Sequence, residues 1–196
     1  MPTDLEPLDI ADLHSRALEL CGSAFGSIAD AALPGSTPCT DWDLRTLANH
    51  VVSENLWVAP LVEGKTIAEV GDRFDGDLLG TDPAGAYEAS ARSADAAFHS
   101  PGAMTTPVAV SYGPIPGAVL CAHRYLDLVI HGWDIAQSLG IDYVVPADMV
   151  DALNRILTDE RDLIRGSGVF GSEVPVRSDA DPWVRALAQV GRSING

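Results

Sequence analysis

Apolar residues recur at helical spacing in five long segments of the chain. The predicted helices cover approximately residues 9–33, 44–62, 82–98, 117–139 and 146–165. Asp41 and Asp43 are plausible N-caps of the second helix, and Asp82 is followed by a proline that suits the first helical turn. This pattern predicts a mainly α-helical protein in which long helices pack as a bundle.

A single segment has the composition of a β-strand. Residues 104–112 are rich in β-branched and aromatic side chains, and the prolines that follow are predicted to close the strand. After the fifth helix, a short extra helix is expected to begin at Asp181-Pro182. We therefore predict one helical bundle over residues 1–165 and a C-terminal tail over residues 166–196 that packs on the same domain.

The charge balance excludes several classes of partner. The 196-residue chain has 28 acidic and 12 basic side chains, for a formal net charge of −16. Nucleic acid and anionic lipid attract basic surfaces, so neither is an expected partner. No apolar stretch is long enough to span a membrane. The acidic residues 1–12 are unlike a secretory signal, so a cytoplasmic location is expected.

The isolated cysteines and histidines have ordinary interpretations. Cys21, Cys39 and Cys121 are far apart and form no CxxC pair, which excludes a disulfide framework and a zinc ribbon. Cys21 and Cys121 fall in helical patterns and are predicted to be small buried apolar residues. His14 and His99 are predicted to be surface residues.

The fourth predicted helix carries the most informative polar residues. Asp127 and His131 lie one helical turn apart, so a carboxylate and an imidazole point to one place. Such a pair can bind a metal ion if a facing helix adds a third ligand, and His50 is the candidate. The spacing alone also fits a surface ion pair between Asp127 and His131, and a core-edge His50 bonded to a backbone carbonyl.

Two further charged residues flank this pair. Asp134 is either a solvated residue or an acceptor for an imidazole N–H. Arg124 either orients a carboxylate on a substrate or forms a surface ion pair. A separate apolar stripe on the same helix is predicted to face the core, and its members are Val119, Ala122, Leu126, Ile130 and Trp133.

Two segments resemble a known family. Residues 40–52 (TDWDLRTLANHVV) and residues 127–136 (DLVIHGWDIA) resemble the two signatures of the mycothiol-dependent maleylpyruvate isomerase N-terminal domain. The intervening residues 111–117 (SYGPIPG) resemble an actinobacterial single-domain branch of these metal-binding proteins. The resemblance covers about residues 9–160 and implies a DinB-like four-helix bundle with one metal site.

This resemblance implies roles for named residues. It places the first histidine of the site at His50, and the acid and the second histidine at Asp127 and His131. The isomerases carry glutamate where this chain has Asp127, so a shorter carboxylate must reach the ion. They also carry an additional C-terminal domain. Because this chain ends at Gly196, maleylpyruvate isomerase activity itself is not expected.

Three functions follow as hypotheses. The first is a transferase or isomerase that depends on mycothiol or another small thiol, in which one divalent ion, zinc before nickel, lowers the pKa of the thiol. The thiolate is then transferred to an electrophilic substrate or adds reversibly to an activated double bond. The second is a hydrolase in which the ion activates water, with Asp134 or His123 as general base. The third is a non-enzymatic metal-binding or stress-related bundle. The resemblance also allows a homodimer.

Overall fold

The structure is a computed structural model that describes residues 8–161 and 171–194. The chain divides into two compact units, Met1–Tyr143 and Val144–Gly196. The elements are, in order, α1 (Ile10–Phe25), a 3₁₀ helix (Asp30–Ala32), α2 (Leu44–Val62), α3 (Ile67–Val70), α4 (Pro83–Phe98), β1 (Pro107–Val110), β2 (Gly113–Pro116), α5 (Gly117–Leu139), α6 (Ala147–Asp159) and α7 (Pro182–Gln189). The prediction of a mainly helical protein is confirmed.

Four long helices of the first unit form a bundle. Helix α1 packs against α4 and α5, and α2 packs against the same two helices, so the order around the bundle is α1, α5, α2, α4. The Ser15 hydroxyl donates to Asp95, and the Tyr87 hydroxyl donates to the carbonyl of Leu18. From the first pair to the second, the residue number rises along α1 and falls along α4, so the two helices are antiparallel.

Local sequence signals place most helix starts correctly. The carboxylates of Asp43 and Asp82 accept backbone N–H groups at the starts of α2 and α4, as predicted. The predicted end of the first helix is wrong, because α1 stops at Phe25 and a separate 3₁₀ turn follows at residues 30–32. Gly26 is the C-cap of α1, and glycine weakens the tendency of the chain to continue as a helix.

The segment after α4 forms a hairpin rather than a single strand. Strands β1 and β2 pair antiparallel, with Val110 opposite Gly113 and Pro107 opposite Pro116. The expectation that Pro114 and Pro116 close the strand is therefore wrong, since both lie within β2. A two-stranded ribbon has only edge strands, where a proline without an N–H is tolerated.

Helix α5 is enclosed on all sides over most of its length. Every residue from Arg124 to Ala136 is buried, whereas Val119 and Ala122 near its start are only half-buried. The prediction of one core-facing stripe is therefore wrong for this helix. A helix that contacts neighbours all round must be close-packed throughout, and its polar residues are then buried together with its apolar ones.

Gly132 shows how tightly α5 is packed. A Cβ atom at this position would collide with the phenol ring of Tyr143. We predict that Gly132→Ala lowers the free energy of unfolding by roughly 1–2 kcal/mol, because the ring or the helix must shift. Gly26→Ala is the matched control, since its Cβ would lie at ordinary distances of 3.6 and 3.8 Å from backbone oxygens. If urea titration shows the same loss in free energy of unfolding for both variants, this interpretation is contradicted.

His14 is buried, contrary to the prediction of a surface residue. Its side chain is inaccessible to solvent, and its ring lies edge-on to Phe98 with the centroids 4.8 Å apart. Burial, followed by the positive charges of Arg124 and His99, lowers the pKa of His14 to about 3. His99 is exposed, as predicted, and Cys21 and Cys121 are fully buried, as predicted.

The second unit contains α6 and α7, which pack against each other. Helix α7 begins after Asp181, whose carboxylate accepts a hydrogen bond from the backbone N–H of Trp183. The predicted short helix is therefore confirmed. The predicted continuation of α6 to residue 165 extends outside the described residues. Within residues 8–161 and 171–194, no helix has the length and apolar composition that a membrane span requires.

Candidate metal centre

Helices α2 and α5 bring three candidate metal ligands together. His50 Nε2 lies 3.5 Å from Asp127 Oδ1, and His131 Nε2 lies 3.3 Å from the same oxygen. The two imidazole rings are nearly perpendicular, with centroids 5.1 Å apart. The ligand atoms of all three residues lie within 4.8 Å of one another. These are the residues that sequence spacing and the family resemblance selected.

The spacing of these atoms fits one tetrahedral ion. Zinc bonds to imidazole nitrogen and carboxylate oxygen at about 2.0–2.2 Å place two such ligands roughly 3.4 Å apart. The two measured N–O distances, 3.5 and 3.3 Å, match this separation and are longer than an ordinary N–H···O hydrogen bond. The shorter aspartate therefore reaches both histidines, and the donor set suits a divalent ion such as zinc.

Asp134 lies behind His131 and sets the orientation of its ring. His131 Nδ1 is 2.9 Å from Asp134 Oδ2, a hydrogen-bond distance, and the Asp134 side chain is completely buried. With the proton held on Nδ1, the lone pair of Nε2 faces Asp127 and His50. Of the two interpretations that spacing left open for Asp134, the structure thus supports the acceptor and not the solvated residue.

The charges around His131 favour its protonated form when no cation is bound. Burial would lower the pKa of His131, but the Asp127 carboxylate, together with hydrogen bonds that involve Asp134 and Cys39, outweighs burial and raises the pKa well above its usual range. A proton on Nε2 and a metal ion compete for the same lone pair. We therefore expect cation binding at Nε2 to release a proton.

Arg124 is a buried partner of Asp127 and not a surface residue. Its Nη2 atom lies 3.0 Å from Asp127 Oδ2, and its Nη1 atom donates to Glu54 Oε2 at 3.0 Å. The Arg124 side chain is only 5 % exposed, against 40 % for Glu54. Burial would raise the pKa of Asp127, but Arg124, then His131 and His50, hold it well below the usual range. Because Arg124 holds Oδ2, Oδ1 is left to face the histidines.

Trp42 covers the same cluster from the segment before α2. Its ring centroid lies 4.8 Å from that of His50 and 6.0 Å from that of His131. The His50 side chain is 26 % exposed, whereas those of Asp127 and His131 are 10 % and 5 % exposed. Solvent therefore reaches the cluster beside His50, next to the half-buried indole.

Sequence reasoning missed two residues, one that contacts this cluster directly and one that contacts it through Arg124. Cys39 Sγ lies 3.3 Å from Asp134 Oδ2 and 3.8 Å from His131 Nδ1. Glu54 is the second partner of Arg124. Glu54 follows His50 by one helical turn, so helical spacing could have placed it on the same face. No local signal connects Cys39 to α5, because the contact joins residues 95 positions apart.

The fold and the cluster define a class of helical bundle with a candidate His–Asp–His metal centre between two helices. The chain belongs to the mycothiol maleylpyruvate isomerase N-terminal domain family, whose family model matches residues 16–136. This match contains all three residues of the cluster, and the resemblance inferred from the two signature segments is confirmed.

Two mycobacterial proteins are similar to almost the whole chain. They are Uncharacterized protein Rv0738 of Mycobacterium tuberculosis strain H37Rv and Uncharacterized protein MT0763 of strain CDC 1551. Each is 27 % identical over 190 residues, which covers 92 % of this chain and 96 % of the relative. No solved structure matches the chain.

Proposed function

We propose that His50, Asp127 and His131 hold one divalent cation, zinc before nickel, and that the protein uses this centre to transfer or add a small thiol of the mycothiol class. The observation that carries the proposal is the pair of N–O distances, 3.5 and 3.3 Å, that join His50 and His131 to one oxygen of Asp127 inside a chain of this family. A divalent ion bound by three protein ligands lowers the pKa of a thiol in its open position, so that a thiolate exists near neutral pH.

Each surrounding side chain has a distinct task in this proposal. Asp134 keeps the proton of His131 on Nδ1 and so presents Nε2 to the cation. Arg124 holds the far oxygen of Asp127 and leaves one carboxylate oxygen for coordination. Trp42 stands beside the more exposed ligand, His50, where it would contact a thiol that approaches from solvent.

The structure offers less support for hydrolysis. Asp134, one of the two bases expected for that reaction, contacts the Nδ1 side of His131, opposite to the nitrogen that faces Asp127. His123, the other, lies beside the hydroxyl of Tyr112, with Nδ1 3.1 Å from the oxygen. A base must lie within hydrogen-bond reach of the water that it activates. We therefore favour thiol activation in the proposed centre.

Metal analysis of purified protein without a His tag tests this proposal. We expect His50→Ala to contain about one equivalent of zinc or nickel less than the wild type. His99→Ala should contain as much metal as the wild type, because His99 is exposed and outside the cluster. Calorimetric titration of the zinc-loaded protein with mycothiol should then show binding that His50→Ala abolishes. If the native protein contains no metal after incubation with zinc and nickel, the proposal is contradicted. Metal without thiol binding would overturn the thiol assignment and leave a metal-binding bundle.

A further inference from the structure

A second group of ligand atoms lies on the other side of the His131 ring. Cys39 Sγ, Asp134 Oδ2 and His131 Nδ1 all lie within 4.8 Å of one another. Cys39 comes from the segment before α2, whereas Asp134 and His131 are on α5. The thiol is half-buried and the carboxylate is completely buried, so this group combines a reachable sulfur with an enclosed charge.

The three distances are close to those of a tetrahedral site that contains sulfur. With metal–sulfur bonds of about 2.3 Å and bonds to nitrogen or oxygen of about 2.0–2.2 Å, sulfur lies roughly 3.6 Å from each other ligand. The measured Cys39 Sγ distances are 3.3 Å to Asp134 Oδ2 and 3.8 Å to His131 Nδ1. The N–O pair, at 2.9 Å, must open by about 0.5 Å.

Charge also favours a cation at this point. A thiolate and a carboxylate together carry two negative charges, which a divalent ion neutralises. Without a cation, the same groups share protons: the Cys39 thiol and the His131 N–H both donate to Asp134. A bound ion replaces these two protons, which leave to solvent. A soft sulfur ligand selects zinc, cobalt or cadmium over magnesium or calcium.

We propose that Cys39, Asp134 and Nδ1 of His131 form a second cation site, selective for thiophilic divalent ions. The site goes beyond the proposed function and shares only the His131 ring with the His–Asp–His centre. When both sites are filled, the His131 ring loses both of its N–H protons to solvent and bridges the two ions as an imidazolate. Among the described residues, Cys21 and Cys121 lie in no such group of ligand atoms. Burial also raises the pKa of both thiols to about 12.

Cobalt(II) is the probe that separates the two sites. Sulfur ligation gives a thiolate-to-cobalt charge-transfer band in the near ultraviolet, while either tetrahedral site gives visible d–d bands. The full-length wild-type protein, Cys39→Ser and His50→Ala are titrated with cobalt(II) under anaerobic conditions. Circular dichroism checks that both variants are folded, and Cys39→Ser keeps a hydrogen-bond donor of similar shape.

We expect the wild type to take up two equivalents of cobalt and to show the charge-transfer band. Cys39→Ser should lose the charge-transfer band and one equivalent and keep the visible bands, and His50→Ala should keep the charge-transfer band. A wild type without this band, or a band that persists in Cys39→Ser, would overturn the second site. Failure of the proposed function gives a different result, in which Cys39→Ser shows no visible bands while the wild type still shows charge transfer.

Discussion

We expect Asp127→Asn to lower the free energy of unfolding by about 3 kcal/mol when a chelator keeps the protein free of metal. The reason is the buried guanidinium of Arg124, whose Nη2 lies 3.0 Å from Asp127 Oδ2. The amide keeps the shape of the carboxylate but removes its charge. The buried guanidinium of Arg124 is then left with Glu54 as its remaining carboxylate partner. Removal of the buried partner of a buried charge is among the most destabilising single substitutions in a folded protein.

Glu54→Gln is the matched control for this experiment. This equally conservative change removes the other negative charge that faces Arg124. Glu54, however, is 40 % exposed, so solvent screens its interaction with the arginine. A pair with an exposed partner contributes about 0–1 kcal/mol. Urea unfolding of the two variants and the wild type in the same chelating buffer provides the comparison. If Asp127→Asn loses no more stability than Glu54→Gln, then the buried Arg124–Asp127 pair contributes no more to stability than the exposed Arg124–Glu54 pair.

We expect acidification from about pH 7.5 to about pH 5 to cost the wild type about 2 kcal/mol of stability through His14 alone. Burial holds the pKa of His14 at about 3 in the folded chain, against 6.5 for an ordinary histidine. The unfolded chain therefore takes up a proton that the folded chain excludes. Stability contributed by the neutral, buried ring is fully present above about pH 6.5 and declines as the pH falls toward about 3.

His14→Gln isolates this effect, since glutamine does not titrate in this range. We expect chemical unfolding at the two pH values to show a smaller acid loss in His14→Gln than in the wild type, by about 2 kcal/mol. His99→Gln removes an exposed histidine at the end of α4 whose charge contributes less than burial to the low pKa of His14. The acid loss of this variant should therefore stay close to that of the wild type. Identical acid losses in His14→Gln and the wild type would show that His14 is protonated in the folded protein.

The bounds of α2 and α5 could be predicted because their signals are local. Asp43 caps the start of α2, and α5 runs between Pro116 and the left-handed Gly140. Each signal lies within a few residues of the boundary that it sets. The hairpin was missed for the opposite reason. Its second strand contains Pro114 and Pro116, which normally argue against a strand, and only pairing with β1 makes that segment extended.

Burial of polar residues could not be predicted from spacing. His14 and Arg124 are enclosed because other helices cover them, and helical periodicity assigns a face without saying how many neighbours that face meets. The positions of the three candidate ligands could be inferred, since an i, i+4 pair on one helix and a family motif on another both describe local geometry. The contact between Cys39 and Asp134 depends on how a loop packs against α5, which no local pattern contains.

The enclosure of α5 from Arg124 to Ala136 has a consequence for hydrogen exchange. Amide protons within this stretch can reach deuterated solvent only when the bundle opens as a whole, whereas those of the hairpin can exchange through local opening. If a cation occupies the proposed centre between α5 and α2 in the closed bundle and not in the unfolded chain, it slows exchange along the buried stretch of α5, including amides that touch no ligand. Deuterium uptake by this one helix thereby measures the occupancy of a site that only a few of its side chains form.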